Sequence, residues 1–160
     1  MAKKEYPMTP AVRFLKAAKI DFTPRLYPYE AHGGTGHAAR SLCLPESAVI
    51  KTLVMVTDAG ETVLMLMHGD REVSTRELAR QLSVKRVQPA TAQQALKQTG
   101  YQVGGISPFG TRKPLPVHVE STILELPQIF INGGKRGFLV EIAPQYLLKN
   151  LAATMVTVAN

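Results

Sequence analysis

The sequence predicts an α+β protein: about six strands in a mixed, mostly antiparallel sheet, curved or barrel-like, with helices packed outside it. Three observations carry this: six or so short β-rich runs, mainly hairpin connections between them, and helix caps opening the intervening segments. Near the start, Thr9 can cap a helix with Pro10 at its first position, and Phe14, Leu15 and Ala18 then fall on one face. RLYPYE reads as a short, irregular edge strand, because Pro28 cannot donate to a central ladder. KTLVMVT and TVLMLMH are separated by DAGE, a hairpin signal containing glycine, and should pair antiparallel. Ser74 with Glu77 makes a capping box before a helix through Leu82, and Thr91 with Gln94 repeats the pattern. LPVHVE, QIFIN and GFLVEI follow as strands, the last two joined by a GGKRG turn. A short helix opened by Pro144 and the run TMVTVA complete the chain.

With 160 residues, 45% apolar and 19% charged, residues 1–160 read as one globular domain. No apolar run approaches the roughly 18 residues of a membrane span. MAKKEYPMTP carries charge without an apolar leader core, so a cytoplasmic location is the expectation. Cys43 stands alone, which excludes an internal disulfide and fits a reducing compartment; flanked by Leu42 and Leu44, it reads as packing.

Nineteen Lys and Arg against 12 Asp and Glu give a net charge of +7, which favours a polyanionic partner such as nucleic acid. The cations cluster as Arg76 and Arg80, Lys85 and Arg86, Arg112 and Lys113, Lys135 and Arg136. A solvated surface explains such pairs equally well. With no Trp and only ten Tyr and Phe, phosphate contact is a better fit than base stacking.

GTGHAA, residues 34–39, matches a dinucleotide-binding fingerprint, with Asp58 at a strand end beyond it. The context argues against it: the preceding strand is polar and broken by proline, and Asp58 opens a hairpin turn. His32, His37, His68 and His118 are scattered and have no Cys pair to join them, so no metal site is expected. Ser107 is followed by proline where a nucleophile elbow needs a helix.

Two features are left unexplained by packing. Lys51 begins an apolar strand, sharing one face with Leu53 and Met55, while Thr52 shares the other with Val54 and Val56. It is either a snorkelling lysine at a strand end or a cation aimed at a phosphate or polarised carbonyl. TGYQVGGISPFG, residues 99–110, gathers three glycines and a Ser-Pro after its opening Thr-Gly, which suits either a turn or a cradle whose backbone a ligand can reach.

MTPAV from Met8, IKTL around Lys51, TGYQVGGISPFG and NGGKRG from Asn132 occur in this order, and with them the chain resembles the YbaK family of free-standing aminoacyl-tRNA deacylases. That family shares a fold with the editing domain inserted in bacterial prolyl-tRNA synthetases. The resemblance implies a Cys-tRNA(Pro) deacylase without cofactor or metal, a monomer, with the aminoacylated acceptor end of tRNA as partner and prolyl-tRNA synthetase as a further one. It places the essential lysine on Lys51 and the G-x-x-x-P loop on Gly104, Gly105, Ile106, Ser107 and Pro108. Gly104 and Gly105 would offer backbone N–H groups to the ester, so replacing Gly105 should lower turnover more than stability. The substrate pocket takes Tyr29, with Tyr27 the alternative, together with Thr52, Asn132, Gly133, Arg136 and Leu139. Arg112, Lys113 and Lys135 would meet the tRNA backbone.

In this family the cysteinyl thiol attacks its own ester, which accounts for the absence of a visible protein nucleophile. Asn132 and Leu139 stand where close relatives carry serine and aspartate, so removal of alanine, serine or threonine stays open. That route needs water, with Asn132 as its anchor. A tRNA- or synthetase-binding module without turnover is the reading from a different class, and an intact loop with Lys51 favours catalysis.

Overall fold

The computed structural model describes residues 5–160; the first four residues of MAKKEYPMTP, read above for a leader, lie outside them. Chain order is α1 (Pro10–Ala17), β1 (Thr23–Leu26), α2 (Gly34–Leu42), β2 (Val49–Thr57), β3 (Thr62–His68), α3 (Thr75–Gln81), β4 (Val87–Pro89), α4 (Ala92–Thr99), β5 (Val117–Glu120), β6 (Ile129–Lys135), β7 (Phe138–Ile142), α5 (Gln145–Leu151) and β8 (Thr154–Val156). The strands form one mixed sheet in the order β1-β7-β6-β2-β3-β5-β8, with β4 also on β2.

The expected β2–β3 hairpin forms in antiparallel register, Ile50 opposite His68 through Val56 opposite Thr62. Its other edge is divided. β6 runs parallel to it at Val49 and Ile50, and β4 takes over antiparallel from Met55 to Thr57. Lys51, Thr52 and Leu53 lie in the interval. β3–β5 and β5–β8 are also parallel, so the connections are less hairpin-dominated than the sequence suggests. Eight strands replace the expected six or so. β4 was too short to read, and β1 ends at Leu26, leaving Pro28 outside the ladder.

Alternation places Ile50 and Val54 of β2 in an inner core with Leu64, Leu66, Ile131, Phe138 and Val140, roofed by Ala11, Val12 and Leu15 of α1. The opposite face is covered by two outer clusters. Leu78 and Ala79 of α3 pack on Met55, Met65 and Met67, while Ala38 and Ala39 of α2 pack on Val49, Phe130 and Leu139. Both faces of β2 are therefore largely covered, and burial is incomplete at Val56 and over Lys51 to Leu53, where the clusters part.

The α1 and α4 caps form as read. The Thr9 hydroxyl accepts from the Val12 N–H, and Thr91 with Gln94 forms a full capping box, each cap worth about 1 kcal/mol. At α3 only half the box is present: Ser74 accepts from the Glu77 N–H, while the Glu77 carboxylate turns to Arg80. GTGHAA forms most of α2, and the Asp58 carboxylate accepts from the Lys85 and Arg86 N–H groups. Cys43 corrects the packing expectation. It is exposed, ending α2 in the left-handed conformation at φ 55°.

His118 on β5 is buried, and its Nδ1 has no hydrogen-bond partner among the described residues. Burial holds its imidazole below the ordinary value, with the Leu64 backbone a smaller opposing influence. On acidification through about pH 6.5 the unfolded chain takes up a proton that the folded chain refuses. This residue's contribution is thus intact above that pH and lost below it. Thermal melts should show Tm falling with pH in this range, and falling less in His118→Leu; identical slopes would exclude His118 as the source.

Candidate functional site

The turn between β6 and β7 is built by one side chain. Asn132 Oδ1 accepts from the Gly134 N–H at 2.6 Å and the Lys135 N–H at 3.1 Å, fixing the bulge where the strand register shifts. Its Nδ2 donates to the Gly104 carbonyl at 3.1 Å. From the same turn, Arg136 Nε donates to the Val103 carbonyl at 3.0 Å, and its guanidinium lies 5.2 Å from the Tyr29 ring centroid. Two side chains of one turn therefore clamp the glycine loop.

The glycines fit this clamp. Gly104 adopts φ +92°, and a Cβ added there would stand 2.8 Å from the Tyr29 hydroxyl; one added at Gly105 would stand 2.8 Å from the Arg136 backbone nitrogen. Bare backbone at Gly105 is thus needed first for packing on the turn. Its N–H donates to the Gln102 carbonyl at 2.8 Å, so the expectation that Gly105 offers a donor to a ligand is revised. The N–H groups of Gly104 and Ile106 make no hydrogen bond within the described residues. Deeper in the loop, Ser107 is fully buried, its Oγ accepting from the Phe109 N–H, and Pro108 is buried beside it. Ile106 is half-buried against the inner core.

Lys51 stands one residue beyond the last β2–β6 pair, Ile50 with Ile131, as Asn132 does on the neighbouring strand. The alternation puts both on the outer face with Val49 and Phe130. The Lys51 side chain is 19% exposed, and its ammonium lies 3.4 Å from Glu72, whose own side chain is 83% exposed. Glu72 was not anticipated, since only the β2–β3 register brings residues beyond His68 back towards Lys51. Thr52 turns inward, where its hydroxyl is buried without a partner among the described residues.

The pocket tyrosines separate. Tyr29 is 40% exposed at the loop, whereas Tyr27 is half-buried, its ring 5.9 Å from the His37 ring and its hydroxyl pushed above the usual range by burial. Leu139 sits directly opposite Asn132 across the β6–β7 ladder and is buried in the α2 cluster. Gly133 is buried against the Phe138 ring. Asn132 Oδ1 already accepts twice and Nδ2 donates once to Gly104, so one amide N–H of its side chain remains to meet a water or a ligand. Arg112, Lys113 and Lys135 are exposed, the first two tied by their N–H groups to the carbonyls of Thr99 and Gln98.

Comparison with known proteins places the chain in a family. Residues 34–150 match the profile of the aminoacyl-tRNA editing domain. The chain is 29% identical over 147 residues to EbsC of Enterococcus faecalis, named as a candidate Cys-tRNA(Pro)/Cys-tRNA(Cys) deacylase, covering 91% of this chain and 90% of that one. It is 30% identical over 110 residues to the proline–tRNA ligase of Thermodesulfovibrio yellowstonii, which is 69% of this chain but 18% of the ligase. A solved structure described as a candidate trans-editing enzyme for prolyl-tRNA synthetase superposes with a TM-score of 0.82 at 22% identity, over 96% of this chain and 99% of that one. The likeness to that structure is one of fold.

Proposed function

Because the chain belongs to the aminoacyl-tRNA editing-domain family, matched over residues 34–150, we propose that it is a trans-acting deacylase that removes cysteine misattached to tRNA(Pro). The observation that carries this reading is the clamp, in which Asn132 and Arg136 hold the glycine loop against Tyr29 next to the strand position of Lys51. An aminoacyl ester is already activated, so positioning and stabilisation of the developing oxyanion are the main requirements.

Lys51 exchanges Glu72 for the terminal nucleotide's phosphate or ribose and brings the ester to the loop. The N–H of Gly104 faces the ester oxygen, and Tyr29 closes the pocket. The cysteinyl thiol then attacks the ester carbonyl: a carbon–sulfur bond forms, the bond to the ribose oxygen breaks, and the thiol proton ends on that oxygen. The products are a cyclic thiolactone and free tRNA. No protein nucleophile is required.

The test is a panel of mischarged tRNAs followed by loss of the ester. Cys-tRNA(Pro) should be cleaved, Ser-tRNA should resist although its side chain is nearly isosteric, and the rate should rise with pH towards the thiol pKa of about 8.5. If Ala-tRNA, which has no side-chain nucleophile, is cleaved as fast as Cys-tRNA, the thiol route is wrong and water attacks. If no ester is cleaved, the protein is a binding module.

A further inference from the structure

Carboxylates are distributed unevenly over this molecule. Residues 6–20, 88–119 and 126–140 contain none of the 12 Asp and Glu, yet they carry Arg13, Lys16, Lys19, Lys97, Arg112, Lys113, Lys135 and Arg136. All eight cations are exposed, and none is ion-paired among the described residues.

These three segments are remote in sequence and meet in space. The Thr9 hydroxyl donates to the Gly133 carbonyl, joining α1 to the β6–β7 turn. Gly110 packs against the backbone of Pro10 and Ala11, and the Phe14 and Phe109 rings lie 5.6 Å apart, joining α1 to the glycine loop. The N–H groups of Arg112 and Lys113 donate to the carbonyls of Thr99 and Gln98, joining the loop's end to α4. The result is one cationic face, drawn from three acid-free segments, that includes the Arg136 clamp. The other basic cluster differs. There Arg80 is held by Glu77 at 2.8 Å, and the Asp58 carboxylate sits against the Lys85 and Arg86 backbone.

We infer that this cationic face is the docking face for a nucleic-acid duplex, contacted through its phosphates, with α1 and α4 extending the contact beyond the site. A run of unpaired cations without intervening carboxylates suits a rigid, evenly spaced polyanion and gains from counterion release. The aromatic rings of the three segments are buried or packed into the cores, and the exposed Tyr29 ring at the clamp is engaged by Arg136, so the face offers no run of rings on which successive unpaired bases could stack. If the deacylase reading holds, which this occupant rests on, the duplex is the acceptor stem, entering from the α1–α4 side with its unpaired end at Gly104. Arg13 and Lys97 are new contacts that no motif points to.

The test is binding of an RNA hairpin ending in an unpaired CCA, compared with single-stranded RNA of equal length, over a salt series. The parent protein should prefer the hairpin. The double variant Arg13→Gln/Lys97→Gln should lose about 1.8 from the slope of log affinity against log salt, two phosphate contacts' worth. Lys85→Gln/Arg86→Gln should leave the slope unchanged. Single strands bound as tightly as the hairpin, an unchanged slope in the first variant, or an equal loss in the second would overturn the assignment. So would loss of prolyl-tRNA synthetase binding by the first variant with its RNA slope intact, which would make this a protein interface. Hairpin binding with the expected slope but no ester cleavage would sink the deacylase reading alone.

Discussion

Replacing Lys51 with alanine is expected to lower ester cleavage by roughly 10²-fold or more, since an electrostatic contact at the reacting end is lost. The fold should survive. The ammonium's one polar contact among the described residues is with the exposed Glu72, and such surface pairs contribute little to stability. Melting should stay within about 1 kcal/mol of the parent. Lys51→Arg should recover activity only in part, because a planar guanidinium differs in shape and hydration from a compact ammonium. Single-turnover cleavage of Cys-tRNA(Pro) with a parallel thermal melt decides the matter. Near-parental cleavage by a folded alanine variant removes Lys51 from the mechanism.

Gly105→Val is the second large effect, and here the structure changes the expectation. An added Cβ would meet backbone atoms of the turn, the Arg136 nitrogen at 2.8 Å and the Lys135 carbonyl carbon at 2.9 Å, neither of which can swing away. The loop must lift. That strains the Asn132–Gly104 and Arg136–Val103 bonds together and displaces the Gly104 N–H from the ester. Turnover should fall roughly 10²-fold or more, and overpacking should cost about 1–3 kcal/mol of stability. Urea unfolding beside a cleavage assay separates the two losses. Activity that persists in the valine variant would show that the clamp geometry is not needed.

Legibility in the sequence followed the range of the interactions. Thr9 with Pro10, Thr91 with Gln94 and the β2–β3 hairpin were readable because each is decided within a few residues. α2 was not read as a helix, since Gly34 and Gly36 are poor helix formers. Its stability comes from Ala38 and Ala39 packing on Val49, Phe130 and Leu139, which only the folded chain brings near. The parallel β2–β6 pairing left no local mark, and neither did the meeting of Lys51 with Glu72. Cys43 was misjudged because its apolar neighbours suggested burial, whereas the end of α2 turns it outward.

At the candidate site the lysine and the glycine loop were visible as anomalies, while their roles came from family resemblance. The division of labour within the loop was invisible. Whether a glycine is bare for a ligand or for a neighbouring backbone depends on a turn about 30 residues away in the sequence, and Gly105 serves that turn.

The sheet order also bears on how the molecule is made. β1 finds its partner only in β7, Thr23 opposite Glu141, and β2 meets β6 at Ile50 and Ile131. Pairings between such distant segments carry loop-closure entropy before they return contacts, which places folding towards the slower, millisecond-to-second end for small domains. A nascent chain that has left the ribosome only as far as β5 can form the β2–β3 hairpin but lacks Asn132 and Arg136, and with them both bolts of the clamp. The distal end of the glycine loop can rest on α1 and α4 as soon as it is made, but its Val103–Gly104 end waits for Asn132 and Arg136, so the site beside Lys51 is completed only when the β6–β7 hairpin docks.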